Sequence, residues 1–142
     1  MLPRFQHILV PLDFTDKNQA ALGIAFELAS QNRASVTLLH VIEKIENVPD
    51  AELKPFYAQI TSRAETELER RAQRFADAGI RIDRKVLYGK RLVEIVRDSR
   101  ERKVDLIVMS SHKVDPAAAA QSLGTLSYQV CILCDCPVLL VK

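Results

Sequence analysis

The chain is poor in cysteine, in excess charge and in long hydrophobic runs, and each shortage narrows what it can be. Cysteine occurs three times in 142 residues, an odd number crowded toward the C-terminal end. A domain of this length buries roughly 70% of its extended-chain surface, so it needs neither metal nor disulfide to fold. Twenty Lys and Arg against 18 Asp and Glu leave a formal charge of +2, too small and too mixed to create a strong field for nucleic acid or anionic lipid. No apolar run approaches the ~20 residues of a membrane span. The opening Met-Leu-Pro-Arg-Phe-Gln-His does not read as a signal peptide. The expectation is one cytoplasmic domain over residues 1–142, with no nucleic acid or membrane as partner.

What is present is a regular alternation. Ile8 to Leu12 is a short apolar run, read as a first strand that ends at Asp13. Asp16 followed by Gln19 resembles a capping box, so a helix is expected to start there. Ala21, Ile24, Ala25, Leu28 and Ala29 then recur at spacings of three and four, as one apolar stripe requires. Val36 to Val41 is the second strand, and Pro49 and Pro55 bracket a connection without clean period. The next helix places Ile60, Ala64, Leu68, Ala72 and Phe75 on one face and stops at Gly79. Its other face interleaves Arg63, Arg70, Arg71 and Arg74 with Glu65, Glu67 and Glu69, a solvated surface. Ile80 to Leu87 is a third strand broken by Arg81, Asp83, Arg84 and Lys85, which suits a sheet edge. Leu92, Ile95 and Val96 face inward from a further helix. Val104 to Met109 is the fourth strand, a last helix runs to about Cys134, and Pro137 to Val141 is the fifth strand. Five rounds of strand and helix predict a single-domain, doubly wound α/β fold with a five-stranded parallel sheet and helices on both faces.

The stretch from Val104 to Thr125 holds the functional question. Leu106 to Met109 is unbroken apolar sequence, as in a parallel strand buried on both faces. It gives way to Ser110-Ser111-His112, then a loop, then a helix whose first turns are expected to hold Gly124-Thr125. Strand, small-residue loop and helix start make the usual place for a phosphate, because free backbone N–H groups and the helix dipole converge there. Other chemistry is weakly signalled. His7 and His40 sit at strand ends without a carboxylate or cysteine at ligand spacing, so they read as structural. His112 adjoins Ser110 and Ser111 without a nucleophile elbow. Cys131, Cys134 and Cys136 close a helix rather than open one, where a lowered thiol pKa would be expected, and they read as small packing residues.

Five pieces in order resemble a universal stress protein domain: His7-Ile8-Leu9-Val10-Pro11-Leu12-Asp13, Leu39-His40-Val41, Gly89, Asp105 to Met109, and Cys136-Pro137-Val138-Leu139-Leu140-Val141. The resemblance implies strand order 3-2-1-4-5, with a ligand beyond the C-terminal ends of strands one and four. It implies Asp13 and Val41 as the positions that hold ribose and adenine in nucleotide-binding members, with Gly89 at the lip and Ser110 and Ser111 opposite. The phosphate loop of such members reads Gly-x-x-Gly, nine residues, then Gly-Ser or Gly-Thr. Here only Gly124-Thr125 is kept. Ser110 and Lys113 replace the two glycines in the strand's register; Ser111 and Val114 replace them if the spacer is kept. Glycine there supplies positive φ and close backbone approach to phosphate oxygens. Pro116 lacks an amide donor, and Asp115 adds a repelling charge.

The resemblance therefore implies a stress-response protein that acts by binding and dimerisation, without catalysis, without a cofactor and without ATP bound through the standard loop. The alternative it leaves is a module holding ATP or AMP in an altered mode, and beyond that a slow ATPase. A homodimer is expected through the last strand, whose Val138-Leu139-Leu140-Val141 has no charge to protect it, and a regulatory protein partner would then read the dimer. The competing cover for that edge is the segment Met1–Phe5.

Overall fold

The computed structural model describes residues 4–113, 115–118 and 124–142. Strand β1 (His7–Pro11) leads to helix α1 (Asn18–Asn32), β2 (Ser35–Ile42), α2 (Asp50–Asp77), β3 (Ile82–Tyr88), α3 (Arg91–Glu101) and β4 (Leu106–Ser110). A short 3-10 turn (Pro116–Ala118), helix α4 (Leu126–Leu133) and β5 (Val138–Val141) complete the chain. The five strands form one sheet in the order β3-β2-β1-β4-β5, and every pairing is parallel. This is the expected topology.

The two faces of the sheet carry two cores, because residues alternate sides along each strand. Ile8, Val10, Val36, Leu38, Leu106 and Val108 pack under α1 and α2, against Ala21, Ala25, Leu68, Ala72 and Phe75. Leu9, Leu39, Val41, Ile107 and Met109 face the other way, against Ile95 of α3 and Val130 of α4. Each such aliphatic side chain removed from water contributes about 1.5–3 kcal/mol. The alanines of α1 let that helix lie close over β1 and β4. Gly79 ends the turn after α2 at φ 77, a left-handed value that favours glycine.

Several boundaries differ from expectation. Asp16 and Gln19 form no capping box: Lys17 flanks the start of α1 and no side chain caps it. Asn18 turns its side chain back toward β1 instead, as described below. Pro55 does not close a connection, since α2 begins at Asp50 and runs through it. The apolar period is masked there because the first turns of α2 are mostly exposed. Strand β3 begins two residues later than expected, at Ile82. Gly124 and Thr125 precede α4 rather than lie in it, with Thr125 extended at φ -74 and ψ 157. Residues Met1–Pro3, Val114 and the last alanines with Gln121-Ser122-Leu123 fall outside the described residues. Arg4 and Phe5 both donate their amides to Asn32 Oδ1, at 2.9 and 3.2 Å, so they lie at the end of α1.

A polar cluster is set beneath α3. Asp98, 1% exposed, accepts from Lys85 Nζ at 3.0 Å and from Arg102 Nε at 3.1 Å. Its Oδ2 has no hydrogen-bond partner among the described residues. His7 lies beside it: Nδ1 meets the Arg102 carbonyl at 3.1 Å and Nε2 meets Thr37 Oγ1 at 2.8 Å. The carbonyl can only accept, so His7 carries its proton on Nδ1 and accepts from Thr37. Its role is structural, as the sequence indicated.

Candidate functional site

The strand order reverses direction between β1 and β4, and a crevice opens beyond their C-terminal ends. A cleft of about 210 Å³ occupies this point. Its apolar wall comes from Leu39 and Val41 of β2, Ile95 of α3, Met109 of β4 and Leu126 of α4. Its polar side comes from Asp13, Lys17, Asn18, Arg91, Ser110 and Ser111, with His112, Thr125 and Ser127 closing it. Of the candidate residues, Asp13, Val41, Ser110, Ser111 and Thr125 meet in this one cleft. Gly89 lines an adjoining groove that shares Arg91 and Leu126 with it. Gly124 lines neither. Gly89 has φ 147, and a Cβ there would come within 2.9 Å of Glu94 Oε1, so the position favours glycine whether or not a ligand is near.

Asp13 follows β1 in a tight loop. Its Oδ1 accepts from the Thr15 amide at 3.0 Å and the Thr15 hydroxyl at 2.7 Å. Burial works to raise its pKa, but these bonds and those from Asn18 and its own amide outweigh it and hold the carboxyl below its ordinary value. It is a fixed anion at neutral pH, with one oxygen engaged by Thr15. Phe14 next to it adopts φ 65, and its ring stacks on His40 at 4.2 Å with the Arg71 guanidinium 5.0 Å above the other face. His40 donates from Nδ1 to the Leu12 carbonyl at 2.8 Å. Burial lowers its pKa most, and Arg91 adds to the effect against the opposing pull of Leu12 and Asp13.

The serines are engaged within the protein. Ser110 Oγ receives the Asn18 amide at 3.0 Å and donates to the Lys17 carbonyl at 3.2 Å. Ser111 is buried and its hydroxyl pairs with Ser127 at 3.0 Å, while its amide donates to Val141 at 2.8 Å. Asp115 accepts from the Ala117 amide at 3.0 Å and so caps the turn at Pro116. Lys142 donates to the His112 carbonyl at 3.4 Å and the Tyr128 hydroxyl at 2.7 Å. Sequence reading missed Lys17, Asn18 and Ser127. Only Asn18 left a signal, a short amide side chain at the start of a helix, where such residues bond to nearby backbone.

No group of three or more His, Cys, Asp or Glu with metal-binding geometry occurs among the described residues. Burial raises the pKa of Cys131, Cys134 and Cys136 alike, the reverse of what a reactive thiol requires. No described helix is long and apolar enough to cross a membrane.

Fold and cleft together define a doubly wound α/β domain with its site at the switch point. The family model for the universal stress protein family matches residues 4–142, and the chain belongs to that family. It is similar to the universal stress protein YxiE of Bacillus subtilis, 27% identical over 97% of this chain and 99% of the relative. The structure resembles universal stress protein UspA from Lactobacillus plantarum, with TM-score 0.81 and 23% identity over 98% of this chain and 99% of that one. It also resembles the Archaeoglobus fulgidus universal stress protein in complex with dAMP, with TM-score 0.71 and 18% identity over 97% and 98% of the two chains.

Proposed function

We propose that this chain is a non-catalytic binding protein whose cleft takes the nucleoside end of an adenine nucleotide, does not grip a triphosphate through a glycine loop, and works as a homodimer joined along β5. The observation that carries the reading is the contrast between the two ends of the cleft. One end offers what a nucleoside needs: the apolar wall of Leu39, Val41, Ile95 and Met109 for a flat base, and the Asp13 carboxylate for ribose hydroxyls. On the phosphate side, in the strand's register, Ser110 has a side chain where the family's loop has glycine, and that side chain is bonded to Asn18 and Lys17. Lys17 and Arg91 bring positive charge to the rim, enough to favour one phosphate. Flexible side chains do not reproduce a ring of fixed N–H donors, so added phosphates gain little.

The dAMP held by the Archaeoglobus fulgidus relative supports the ligand class. Binding rather than turnover is supported by Asp13, the carboxylate of the cleft, having its Oδ1 held by the amide and hydroxyl of Thr15. Thermal melting with AMP tests the reading. At a hundred times its dissociation constant a ligand adds about 2.7 kcal/mol, and at ~2–4 °C per kcal/mol this is a rise of several degrees. The rise is expected with AMP and absent in Asp13→Ala. A wild-type midpoint unmoved by millimolar AMP would overturn it.

A further inference from the structure

We infer that Asn18 is the positioning residue of the cleft: it holds the Asp13 loop from below and is tied across the crevice to Ser110, so that the carboxylate is fixed before a ligand arrives. Asn18 is 2% exposed, and its amide is used from both ends. Oδ1 accepts from the backbone amides of Asp13 and Phe14, at 3.1 and 2.8 Å. Nδ2 donates to Ser110 Oγ at 3.0 Å, a bond between the first residue of α1 and the last of β4, 92 residues apart in sequence. Ser110 passes the chain on by donating to Lys17. One buried side chain thus joins the loop after β1, the start of α1 and the end of β4.

The arrangement is more than packing. An apolar residue at position 18 would leave two loop amides without acceptors, and an unmet buried donor costs about 1–3 kcal/mol. Phe14 stands in a left-handed conformation that non-glycine residues adopt rarely. Such a conformation persists only where its surroundings over-determine it. Asn18 supplies that from one side, and the His40 ring with Arg71 supplies it from the other. A loop held this way loses less freedom when a ligand binds, and rigid sites gain affinity through that saving. The consequence for AMP rests on the binding reading above; the hold on the loop does not.

Amide hydrogen exchange by NMR on the ligand-free protein separates the two. In Asn18→Ala the Asp13 and Phe14 amides are expected to exchange at least tenfold faster, with the amides of β2 unchanged. Asn18→Asp should restore protection, because its carboxylate accepts the same two amides and the Ser110 hydroxyl. Ser110→Ala leaves both Asn18 Oδ1 bonds in place while removing the tie and the Ser110 bond to Lys17, and should speed the same two amides severalfold. Unchanged exchange at Asp13 and Phe14 in Asn18→Ala, or a uniform rise across the sheet, would overturn the inference. If Asn18→Ala does not fold, the Ser110→Ala result decides by the same criterion. Calorimetric titration with AMP should then show at least a tenfold weaker Kd for Ser110→Ala. A Kd equal to wild type despite faster exchange overturns the ligand consequence. No AMP binding to the wild type overturns the binding reading and leaves exchange to decide the positioning role.

Discussion

Asp13, the neighbour of Phe14 in the chain, and His40, stacked on its ring, respond to pH in the same direction. For Asp13 the folded pKa lies below the unfolded value of 3.8. Its stabilising contribution is present above that value and is lost as pH falls through the folded pKa. Thr15→Ala removes the hydroxyl bond and keeps the backbone one, so the Asp13 carboxyl should titrate closer to 3.8, read by NMR. For His40 burial depresses the folded pKa below 6.5. The neutral ring is the form the fold prefers, so its contribution is complete above 6.5 and falls away as pH drops through the folded pKa. The His40 ring resonances should titrate below 6.5, and a midpoint at or above that value would contradict the account. Asp98 matters through its two cations. Removing it leaves Lys85 and Arg102 facing each other, and breaking a buried pair costs about 3–5 kcal/mol. Both cations are about 30% exposed and regain some water, which favours the lower end. Asp98→Ala should lower the melting temperature by on the order of 10 °C.

At the scale of elements, α2 tolerates Pro55 because its first turns are exposed. Pro55 still removes one intrahelical donor. Pro55→Ala should raise stability by between about 1 and 3 kcal/mol, measured by urea unfolding; a loss instead would mean that the proline shapes this end of the helix. The elements themselves were legible from periodicity. The stripe through Ala64, Leu68, Ala72 and Phe75 is the buried face of α2, and the charged third strand is the sheet edge. Their ends were less legible. The Asp16–Gln19 spacing imitates a cap, but spacing cannot show that Asn18 has a better use for its amide. The resemblance supplied positions that line the one cleft, at Asp13, Val41, Ser110, Ser111 and Thr125. Lys17 and Ser127 stayed hidden because their contacts span 93 and 16 residues, and so did the tie of Asn18 to Ser110, across 92.

At the scale of the whole molecule the two edges of the sheet are unlike. β3 exposes Asp83 and Arg84, and charge on an edge opposes pairing. β5 carries only Val-Leu-Leu-Val, with Leu139 39% exposed. The proposed two-fold contact along β5 would cover that surface in both copies. Light scattering should give twice the 16.0 kDa chain mass, and Leu139→Pro should lower it by removing a ladder donor. The mass of a single chain for the wild type at micromolar concentration would refute the dimer.

The proposed function has the cleft bind the nucleoside end and gain nothing from a triphosphate, with Ser110, bonded to Asn18 and Lys17, taking the place of a loop glycine in the strand's register. Isothermal titration of the wild-type protein with AMP and with ATP, in one buffer and without added metal, tests it most directly. The account predicts that ATP binds no more tightly than AMP. An ATP dissociation constant tenfold or more below that of AMP, a preference of about 1.4 kcal/mol, would contradict it.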